Sequence, residues 1–487
     1  MASRRGVSRR RFIRAGMGLA VGTGLAACAA AQTPQLVERE ATRIIEASPQ
    51  PQAITEQVEI RVGMSSSTTN LPIYTRILFP RFADAHPEIK VSFETAPWGE
   101  FYTKAEAQIA AQDLPDVFAI STDNVATYAA RKIPLNLMPL LEADQELRDA
   151  VSESAWSLLQ YGENTQWGAT QRVGGCALAY NEVLFDEAGL DYPNENWTNE
   201  DFLVAAKLLT IDESGRNSTD PSFDASSVKQ WGYWARNYGT TDYGPQAYGF
   251  GGSFFADPLN MEPTFTDPKT IAGIQWTMDL VFEHHVSPLA ADVEGFGQTR
   301  HIAFLGGHCA MMTHVQGQEG SWPQGDWQQW KDGFGLQATF MPRWPEKRAT
   351  CVWGEGCLIP NYSKHINEAW AFIRFSIMDI PFQTGQTDPG KNQMPVNVEA
   401  YNDPRILNSP TPPLTYQGSF IEPFLPDREC FAWDFDPNPV WGAWWKAMTD
   451  NMTLVWEQRI SVEEAMQNTQ DEAVKAISEW KAGEQAG

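Results

Sequence analysis

Residues Asn164–Ile211 read NTQWGATQRVGGCALAYNEVLFDEAGLDYPNENWTNEDFLVAAKLLTI. The run Cys176–Tyr180 is short and extended, and it leads into Asn181, a favourable N-cap that predicts the start of a helix. Gly189 predicts the end of that helix, because glycine is the usual residue at a left-handed C′ position. Thr198–Asp201 has the pattern of a capping box and predicts the start of a second helix. The order is therefore strand, helix, helix.

Strand and helix patterns also alternate in the preceding part of the chain. Alternating apolar residues predict strands at Val58–Val62 and Ile89–Phe93, and the run Asp116–Ile120 predicts a short buried strand. Helical stretches are predicted between them, and this order indicates a parallel sheet with helices on both faces. Ligands of such sheets bind beyond the carboxyl ends of the strands. The polar or aromatic residues expected at that rim are Ser67, Thr68, Asn70, Trp98, Glu100, Thr122, Asp123 and Asn124.

Several short motifs follow one another in an order known from one protein family. They are Trp167-Gly168, Tyr180-Asn181, Ala188–Asp191, Trp197-Thr198, Phe82–Ile89, Leu114–Val117, Phe304–Met312, Trp353–Gly356 and Gln393–Val396. In order and spacing they resemble the extracellular solute-binding proteins of sugar-type ABC importers. The resemblance covers roughly residues 58 to 480 through scattered motifs and not through continuous identity.

The resemblance implies an α/β, two-lobed, periplasmic-binding-protein-like fold of type II, in which each lobe is a sheet flanked by helices and hinge strands join the lobes. Residues 58–170 with 354–405 would form the N-terminal lobe, and residues 171–353 with 406–487 the C-terminal lobe. It implies a monomer that captures a carbohydrate by hinge closure and delivers it to the permease subunits of an ABC importer. Neither a cofactor nor catalysis is required.

Length and composition limit the alternatives. A chain of 487 residues is long for one core, so two or more lobes are expected. The formal charge of −25, from 61 acidic and 36 basic residues, argues against a nucleic-acid partner, because phosphate binding needs a basic surface. The 19 tryptophans suggest flat surfaces offered to a ligand, although each one taken alone is more typical of a core residue.

The amino terminus has the pattern of an export signal. Residues 1–28 contain six arginines and no acidic residue, followed by an apolar run from Ala15 to Ala27. Ser8–Arg14 resembles the twin-arginine export motif, and Leu25–Cys28 resembles a lipobox in which Cys28 is acylated. The alternative is a non-lipidated signal cut nearby. With residues 29–57 as a flexible tether, the protein would be anchored by lipid on the outer face of the cytoplasmic membrane.

The cysteines and histidines do not form a metal-binding pattern. Five cysteines follow the signal, which leaves at least one free, and Cys351 with Cys357 is the preferred disulfide because they are closest in sequence. Five histidines between His284 and His314 lack zinc-ligand spacing. They are interpreted as ordinary surface or core residues.

A carbohydrate site can be assembled from residue types. A pyranose offers apolar faces and a rim of hydroxyls, so tryptophans stack on it while carboxylates accept hydrogen bonds. The candidates for the faces are Trp98, Trp322, Trp353, Trp441, Trp444 and Trp445, and the candidate acceptors are Glu100, Asp123 and Glu355. Aromatic residues from Tyr233 to Phe250, including Tyr238, suggest a loop near the cleft.

Two of these residues have open alternatives. Asp123 could instead be a helix N-cap. Arg172 at the first hinge crossing could bind a uronate or phosphate, or it could pair with a local carboxylate.

Other function classes are possible for an acidic, tryptophan-rich exported protein. A carbohydrate-active hydrolase would need two carboxyl groups at a defined separation, one with a raised pKa, and the sequence lacks the repeated strand–helix units of a barrel. The same fold could also bind an anionic sugar derivative, a peptide or a metal. No G-x-S-x-G, P-loop or G-x-G-x-x-G motif is evident, which disfavours serine hydrolases and nucleotide enzymes.

Overall fold

The computed structural model describes residues 57–65, 71–289, 292, 300–315, 336–385, 394–403, 422–424, 430–433 and 436–486. The predicted signal peptide with Cys28, most of the predicted tether, and the candidate site residues Thr68, Asn70 and Trp322 lie outside these ranges.

Within the described residues, eleven of the strands form one mixed sheet. The strands are β1 Val58–Ser65, β2 Ile89–Ala96, β3 Val117–Ser121, β4 Ala169–Asn181, β5 Ile211–Asp212, β6 Val228–Trp234, β7 Phe255–Asp257, β8 Glu262–Pro263, β9 Cys309–Val315, β10 Leu336–Thr339, β11 Arg348–Leu358, β12 Met394–Pro395 and β13 Cys430–Trp433. The main path runs β2-β1-β3-β11-β4-β9-β6-β5, with β10 and β12 paired to β4 and β13 to β11, while β7 and β8 form a separate hairpin.

The long strands β4 and β11 carry the chain from one half of the sheet to the other. Near the middle of the sheet they pair antiparallel, with Val352 opposite Gly175 and Glu355 opposite Arg172. Beyond this shared region β11 continues along β3, whereas β4 continues along β9. Any residue on the shared region therefore lies between the two halves.

Helices cover both faces of this sheet. They are α1 Leu71–Ile73, α2 Phe79–Ala85, α3 Trp98–Ala110, α4 Thr122–Ala130, α5 Met138–Glu142, α6 Gln145–Asp149, α7 Glu153–Ser157, α8 Glu182–Ala188, α9 Asn199–Leu209, α10 Gly239–Asp242, α11 Gly244–Gly249, α12 Pro268–Phe282, α13 Arg300–Leu305, α14 Ile366–Met378, α15 Ile380–Gly385, α16 Trp441–Trp456 and α17 Val462–Ala486. A π-helical segment, Tyr74–Leu78, joins α1 to α2, and 3-10 turns occur at Ala400–Asn402 and Glu422–Phe424.

The predicted helix boundaries after β4 are confirmed. The Asn181 side chain accepts hydrogen bonds from the backbone N–H groups of Val183 and Leu184. Gly189 ends α8 in the left-handed conformation, with φ 66° and ψ 34°. Thr198 and Asp201 form the reciprocal capping box at the start of α9.

The predicted sheet is only partly parallel. Strands β2, β1 and β3 pair parallel, as their alternation with helices predicts. Strand β11 is antiparallel to β3 and to β4, so the expectation of a parallel sheet is wrong beyond β3. The reason is that β4 and β11 are neighbours from distant parts of the sequence, and local alternation carries no information about their direction.

Both faces of the sheet are buried. Along β4, Ala177 and Ala179 belong to one apolar cluster, whereas Leu178 and Tyr180 belong to a second. This alternation follows from the two-residue period of a strand and places each set under a different layer of helices.

All five cysteines that follow the signal are buried and none of them forms a disulfide, so the predicted Cys351–Cys357 disulfide is wrong. Both residues lie on β11, six positions apart. Six positions along a strand span about 20 Å, which is far beyond the separation that a disulfide allows. Within the described ranges, no helix combines the length and apolarity needed to cross a bilayer.

Candidate ligand-binding cleft

A cleft of about 440 Å³ lies where the two halves of the sheet meet. It is lined by Trp98, Ser121, Thr122, Asp123, Arg236, Tyr238, Val315, Trp353, Gly354, Glu355, Trp441 and Trp445. One wall comes from α3 and the β3–α4 junction, the other comes from the segment after β6 with β9 and α16, and β11 supplies the floor between them.

The floor owes its flat surface to a pair of residues on the crossing strands. Trp353 on β11 is directly opposite Gly174 on β4. A Cβ atom at Gly174 would collide with the indole of Trp353, so the missing side chain is what lets the ring lie against β4. Trp353 remains half-buried and offers its surface to the cleft.

Beside Trp353, the Glu355 carboxylate lines the cleft and is held by an arginine. Arg172 Nε donates to Glu355 Oε2 at 3.1 Å, and Arg172 Nη2 contacts the same oxygen. The side chains are 11% and 17% exposed, and Arg172 Nη1 also donates to the Tyr74 hydroxyl. Burial is the largest influence and lowers the pKa of Arg172, but the charge of Glu355 and the contacts with Glu355 and Tyr74 together outweigh burial, so the net pKa is raised. Arg172 therefore keeps its positive charge.

The first wall is fixed to the floor through Thr122. Its hydroxyl accepts from the Gly354 N–H at 2.9 Å and lies 3.2 Å from the Gly354 carbonyl oxygen. Trp98, at the first position of α3, stands above this junction with 44% of its surface exposed. Its ring meets Tyr102 edge to face at a centroid distance of 5.0 Å, which orients the indole.

Asp123 is the carboxylate of the first wall. Its Oδ1 accepts hydrogen bonds from the Ser121 hydroxyl and from Asn124 Nδ2 at 3.2 Å. Burial raises the pKa of Asp123 and the negative charge of Glu355 raises it further, against the lowering effect of the Ser121 hydroxyl. Asp123 occupies the second position of α4, after the N-cap residue Ser121, so the N-cap interpretation of Asp123 is wrong.

Aromatic rings and one arginine form the second wall. Trp441 and Trp445, one turn apart on α16, stack with their ring centroids 5.4 Å apart and 15° between planes. Arg236 packs over the Tyr238 ring at 4.9 Å. Gly239 lies against Trp445, where an added Cβ would come within 2.6 Å of the indole. The wall is thus a set of flat surfaces with one cation beside them.

The cleft brings together six residues that the sequence proposed as ligand contacts: Trp98, Asp123, Trp353, Glu355, Trp441 and Trp445. Glu100 is exposed on α3 and does not line the cleft. Arg172 lies behind Glu355 as its ion-pair partner, so the alternative of a local carboxylate is correct.

Trp444 is not a ligand contact, and the prediction that placed it in the site is wrong. It is 0% exposed and packs among Phe254, Phe255 and Phe265, with centroid distances of 5.5–5.9 Å. On a helix, position 444 points about 100° away from position 445, which turns it from the cleft into the core.

Sequence reasoning missed Ser121, Arg236 and Val315. The rim rule could have found Ser121, which is the last residue of β3. Arg236 follows β6 by two residues, but the topology that makes β6 a neighbour of β9 was needed to recognise its position. Among the described residues, no group of three or more His, Cys, Asp or Glu side chains could hold a metal ion.

Comparison with known proteins agrees with this architecture. The family model for bacterial extracellular solute-binding proteins matches residues 65–377. Among solved structures, the ABC substrate-binding protein Lmo0181 from Listeria monocytogenes, in complex with cycloalternan, aligns with a TM-score of 0.67 and 21% identity, covering 87% of this chain and 100% of that one.

Two further structures show the same fold. UspC of M. tuberculosis aligns with a TM-score of 0.67 and 20% identity, over 86% of this chain and 100% of its own. The GacH receptor of Streptomyces glaucescens was solved unliganded and with acarbose. It aligns with a TM-score of 0.64 and 19% identity, over 87% of this chain and 99% of its own. The expected two-lobed α/β fold of type II is confirmed. Because the family model covers more than half of its residues, the chain belongs to the bacterial extracellular solute-binding protein family.

Proposed function

We propose that this protein is the substrate-binding component of an ABC importer and that its ligand is a carbohydrate. The observation that carries the proposal is the composition of the cleft. Four tryptophans and a tyrosine supply flat apolar surfaces, and Asp123 and Glu355 supply acceptors among them. This is the combination that a sugar needs, because its C–H faces stack on aromatic rings while its hydroxyls donate to carboxylates.

The ligands of the similar structures support the same class. Lmo0181 was solved in complex with cycloalternan, and the GacH receptor was solved in complex with acarbose. The volume of the cleft, about 440 Å³, lies in the range of small-molecule sites.

Capture works by closure of two lobes. We assign residues 58–170 with 354–405 to one lobe and residues 171–353 with 406–487 to the other, with β4 and β11 as hinge strands. A ligand favours the closed form only through contacts that it makes to both walls. Asp123 and Trp98 on one wall, with Trp441 and Trp445 on the other, provide such contacts. The closed monomer then presents a surface to the permease.

The amino-terminal segment supports export and anchoring. The twin-arginine motif directs the protein across the membrane, and acylation of Cys28 holds it on the outer face. Replacement of Cys28 by Ser is expected to move the protein from the membrane fraction to the soluble exported fraction. Retention of the variant in the membrane would contradict lipidation at Cys28.

The proposed function is tested by a thermal-shift screen of the purified protein. The panel contains neutral mono- and oligosaccharides, sugar acids, polyols and glycerol phosphates. A ligand at 100 times its Kd adds about 2.7 kcal/mol to the free energy of unfolding, so binding raises Tm visibly. We expect a shift with saccharides, and a panel in which no saccharide raises Tm contradicts the proposal.

The saccharides that bind in this screen also allow a test of the hydrolase alternative. The cleft holds two carboxylates, and the pKa of one of them, Asp123, is raised, which is a feature of glycoside hydrolases. A binding protein releases its ligand unchanged. Chromatography of each bound saccharide after long incubation should therefore recover it intact, and stoichiometric or catalytic cleavage would favour the hydrolase.

A further inference from the structure

We propose that the cleft selects saccharides that carry a protonated amino group and rejects anionic ones, with Asp123 as the partner of the amine. The inference rests on the proposed function, because it names the chemical class of the ligand in the same cleft. The charged groups that line or adjoin the cleft support this selectivity.

The first cation, Arg172, is already neutralised. Its Nε and Nη2 both contact Glu355 Oε2, and its Nη1 contacts the Tyr74 hydroxyl. Glu355 lies between Arg172 and the cleft, since Glu355 lines the cleft and Arg172 does not. An anionic ligand would therefore meet a carboxylate before it met this guanidinium, and the arginine could not serve it without breaking a largely buried ion pair.

The second cation, Arg236, lines the cleft but is also balanced. Its Nε lies 3.8 Å from the carboxylate of Asp242, a side chain with no exposed surface. Its Nη2 donates to the Thr241 hydroxyl at 3.0 Å. A buried carboxylate requires a cation nearby, so turning Arg236 toward an anionic ligand would leave Asp242 with a weaker counter-charge.

Asp123 differs from Glu355 and Asp242, the two carboxylates that pair with arginines, in the kind of group that donates hydrogen bonds to it. Its hydrogen-bond donors, Ser121 and Asn124, are neutral. Within the described part of the chain, no lysine, arginine or histidine forms an ion pair with it, and the charged group that acts on it is the carboxylate of Glu355. Asp123 and Glu355 thus both present carboxylates to the cleft, and of these two only Asp123 forms no ion pair within the described part of the chain.

The surroundings of Asp123 suit an ammonium group. Trp98 and Trp353 line the same cleft with exposed ring surface, and aromatic faces attract cations. A protonated amine would neutralise Asp123 with a charge-assisted hydrogen bond while the sugar ring stacks on the indoles. A neutral sugar gains only the weaker bonds of its hydroxyl groups, and a uronate or phosphate is repelled by Asp123 and Glu355.

The test compares matched sugars by calorimetric titration of the whole purified protein at about pH 7. The probes are glucosamine, galactosamine and mannosamine, each with its parent hexose and its N-acetyl derivative, together with glucuronate and galacturonate. We expect at least one amino sugar to bind about tenfold or more tightly than its parent hexose. The N-acetyl derivative, which has no charge, should lose that advantage, and the uronates should bind more weakly than the hexoses.

Variants assign the preference to Asp123. In Asp123→Asn, which keeps an acceptor oxygen but removes the charge, the amino sugar should bind no more tightly than the parent hexose. Glu106→Gln is the matched control, because it removes a surface carboxylate of α3 that does not line the cleft and pairs with Arg131. This control should keep the wild-type preference.

The outcomes separate the two proposals. Hexoses that bind as tightly as every amino sugar, uronates that bind best, or a preference that survives in Asp123→Asn would each overturn the selectivity and leave carbohydrate binding intact. If no amino sugar, hexose or uronate binds while another saccharide of the wider panel does, the selectivity is overturned and carbohydrate binding stands. If the wider panel also gives no response, the proposed function itself fails together with the inference.

Discussion

Single residues in this cleft derive their roles from their charged neighbours. Arg172 and Glu355 were both candidates for ligand contact, yet the sequence places them 183 positions apart. Only the antiparallel pairing of β4 with β11 brings them opposite one another. The sequence can show that an arginine is present near a hinge, but pairing between distant strands decides whether its charge is available.

Asp123 makes the stability of the free protein depend on pH. Its pKa is raised in the folded protein, so its contribution to stability is present below the ordinary pKa of about 3.9 and is lost as pH rises through the folded value. Ionisation of Asp123 therefore lowers the stability of the unliganded protein as pH rises. We expect Asp123→Asn to raise Tm at neutral pH by about 1–2 °C, and the difference to disappear at low pH.

Scanning calorimetry of both proteins across the acidic range measures this dependence. Glu106→Gln serves again as the control for loss of one surface charge. A variant that is less stable than the wild type at neutral pH would show that the Asp123 carboxylate is stabilised, not penalised, by its surroundings.

At the scale of an element, helix α16 carries two cleft residues, Trp441 and Trp445, and a core residue, Trp444, close together. The sequence predicts the helix and the spacing of Trp441, Trp444 and Trp445, but it does not indicate which side faces the cleft. All three are large and aromatic, so hydrophobicity cannot distinguish them. The contacts of α16 with the rest of the chain make the distinction, because Trp444 packs in the core and the other two stack at the cleft.

Substitution of adjacent residues on α16 tests this division. Trp444→Ala should lower the free energy of unfolding by about 3–5 kcal/mol, since it removes a fully buried indole. Trp445→Ala should weaken saccharide binding by about tenfold or more with a much smaller loss of stability. Denaturant unfolding and calorimetric titration of both variants give the two quantities, and equal losses of stability would contradict the assignment.

The crossing strands provide a second test at this scale. In Gly174→Ala the new methyl group would occupy the space of the Trp353 ring, so the ring must move out of its position on the floor. We expect saccharide binding to weaken by at least about tenfold, as expected when an ordered stacking surface is lost.

Gly442→Ala is the control for this substitution. A Cβ atom at Gly442, on the exposed side of α16, meets nothing within 4 Å. The Gly442→Ala substitution should therefore leave saccharide binding unchanged. Unchanged affinity in Gly174→Ala would mean that Trp353 does not stack on the ligand.

At the scale of the whole molecule, local patterns determined more of the fold than of the site. Strands β1, β2 and β3 and helices α8 and α9 follow from periodicity and caps, because each depends on residues close in sequence. The mixed order of the sheet depends on pairing between strands that lie more than a hundred residues apart in the sequence. Arg236 was overlooked for the same reason, since its place in the cleft is set by the pairing of β6 with β9.

The cleft itself is a product of that long-range order. Its residues come from six separate parts of the chain, from Trp98 to Trp445, and they meet only because β4 and β11 cross between the halves of the sheet. Residue chemistry and the position of residues at the sheet rim supplied the aromatic and acidic candidates, whereas the ion pairs that decide which charges remain available required the structure.

We infer that a carbohydrate binds in this cleft, against Trp353. Calorimetric titration of the wild-type protein and of Trp353→Ala, with every saccharide that raises Tm in the screen, tests this inference. We predict saturable binding of one saccharide per protein, weakened by at least about tenfold in the variant while the variant stays folded. Undiminished saccharide binding by a folded Trp353→Ala protein would contradict this site, and the absence of saccharide binding by the wild type would contradict the function.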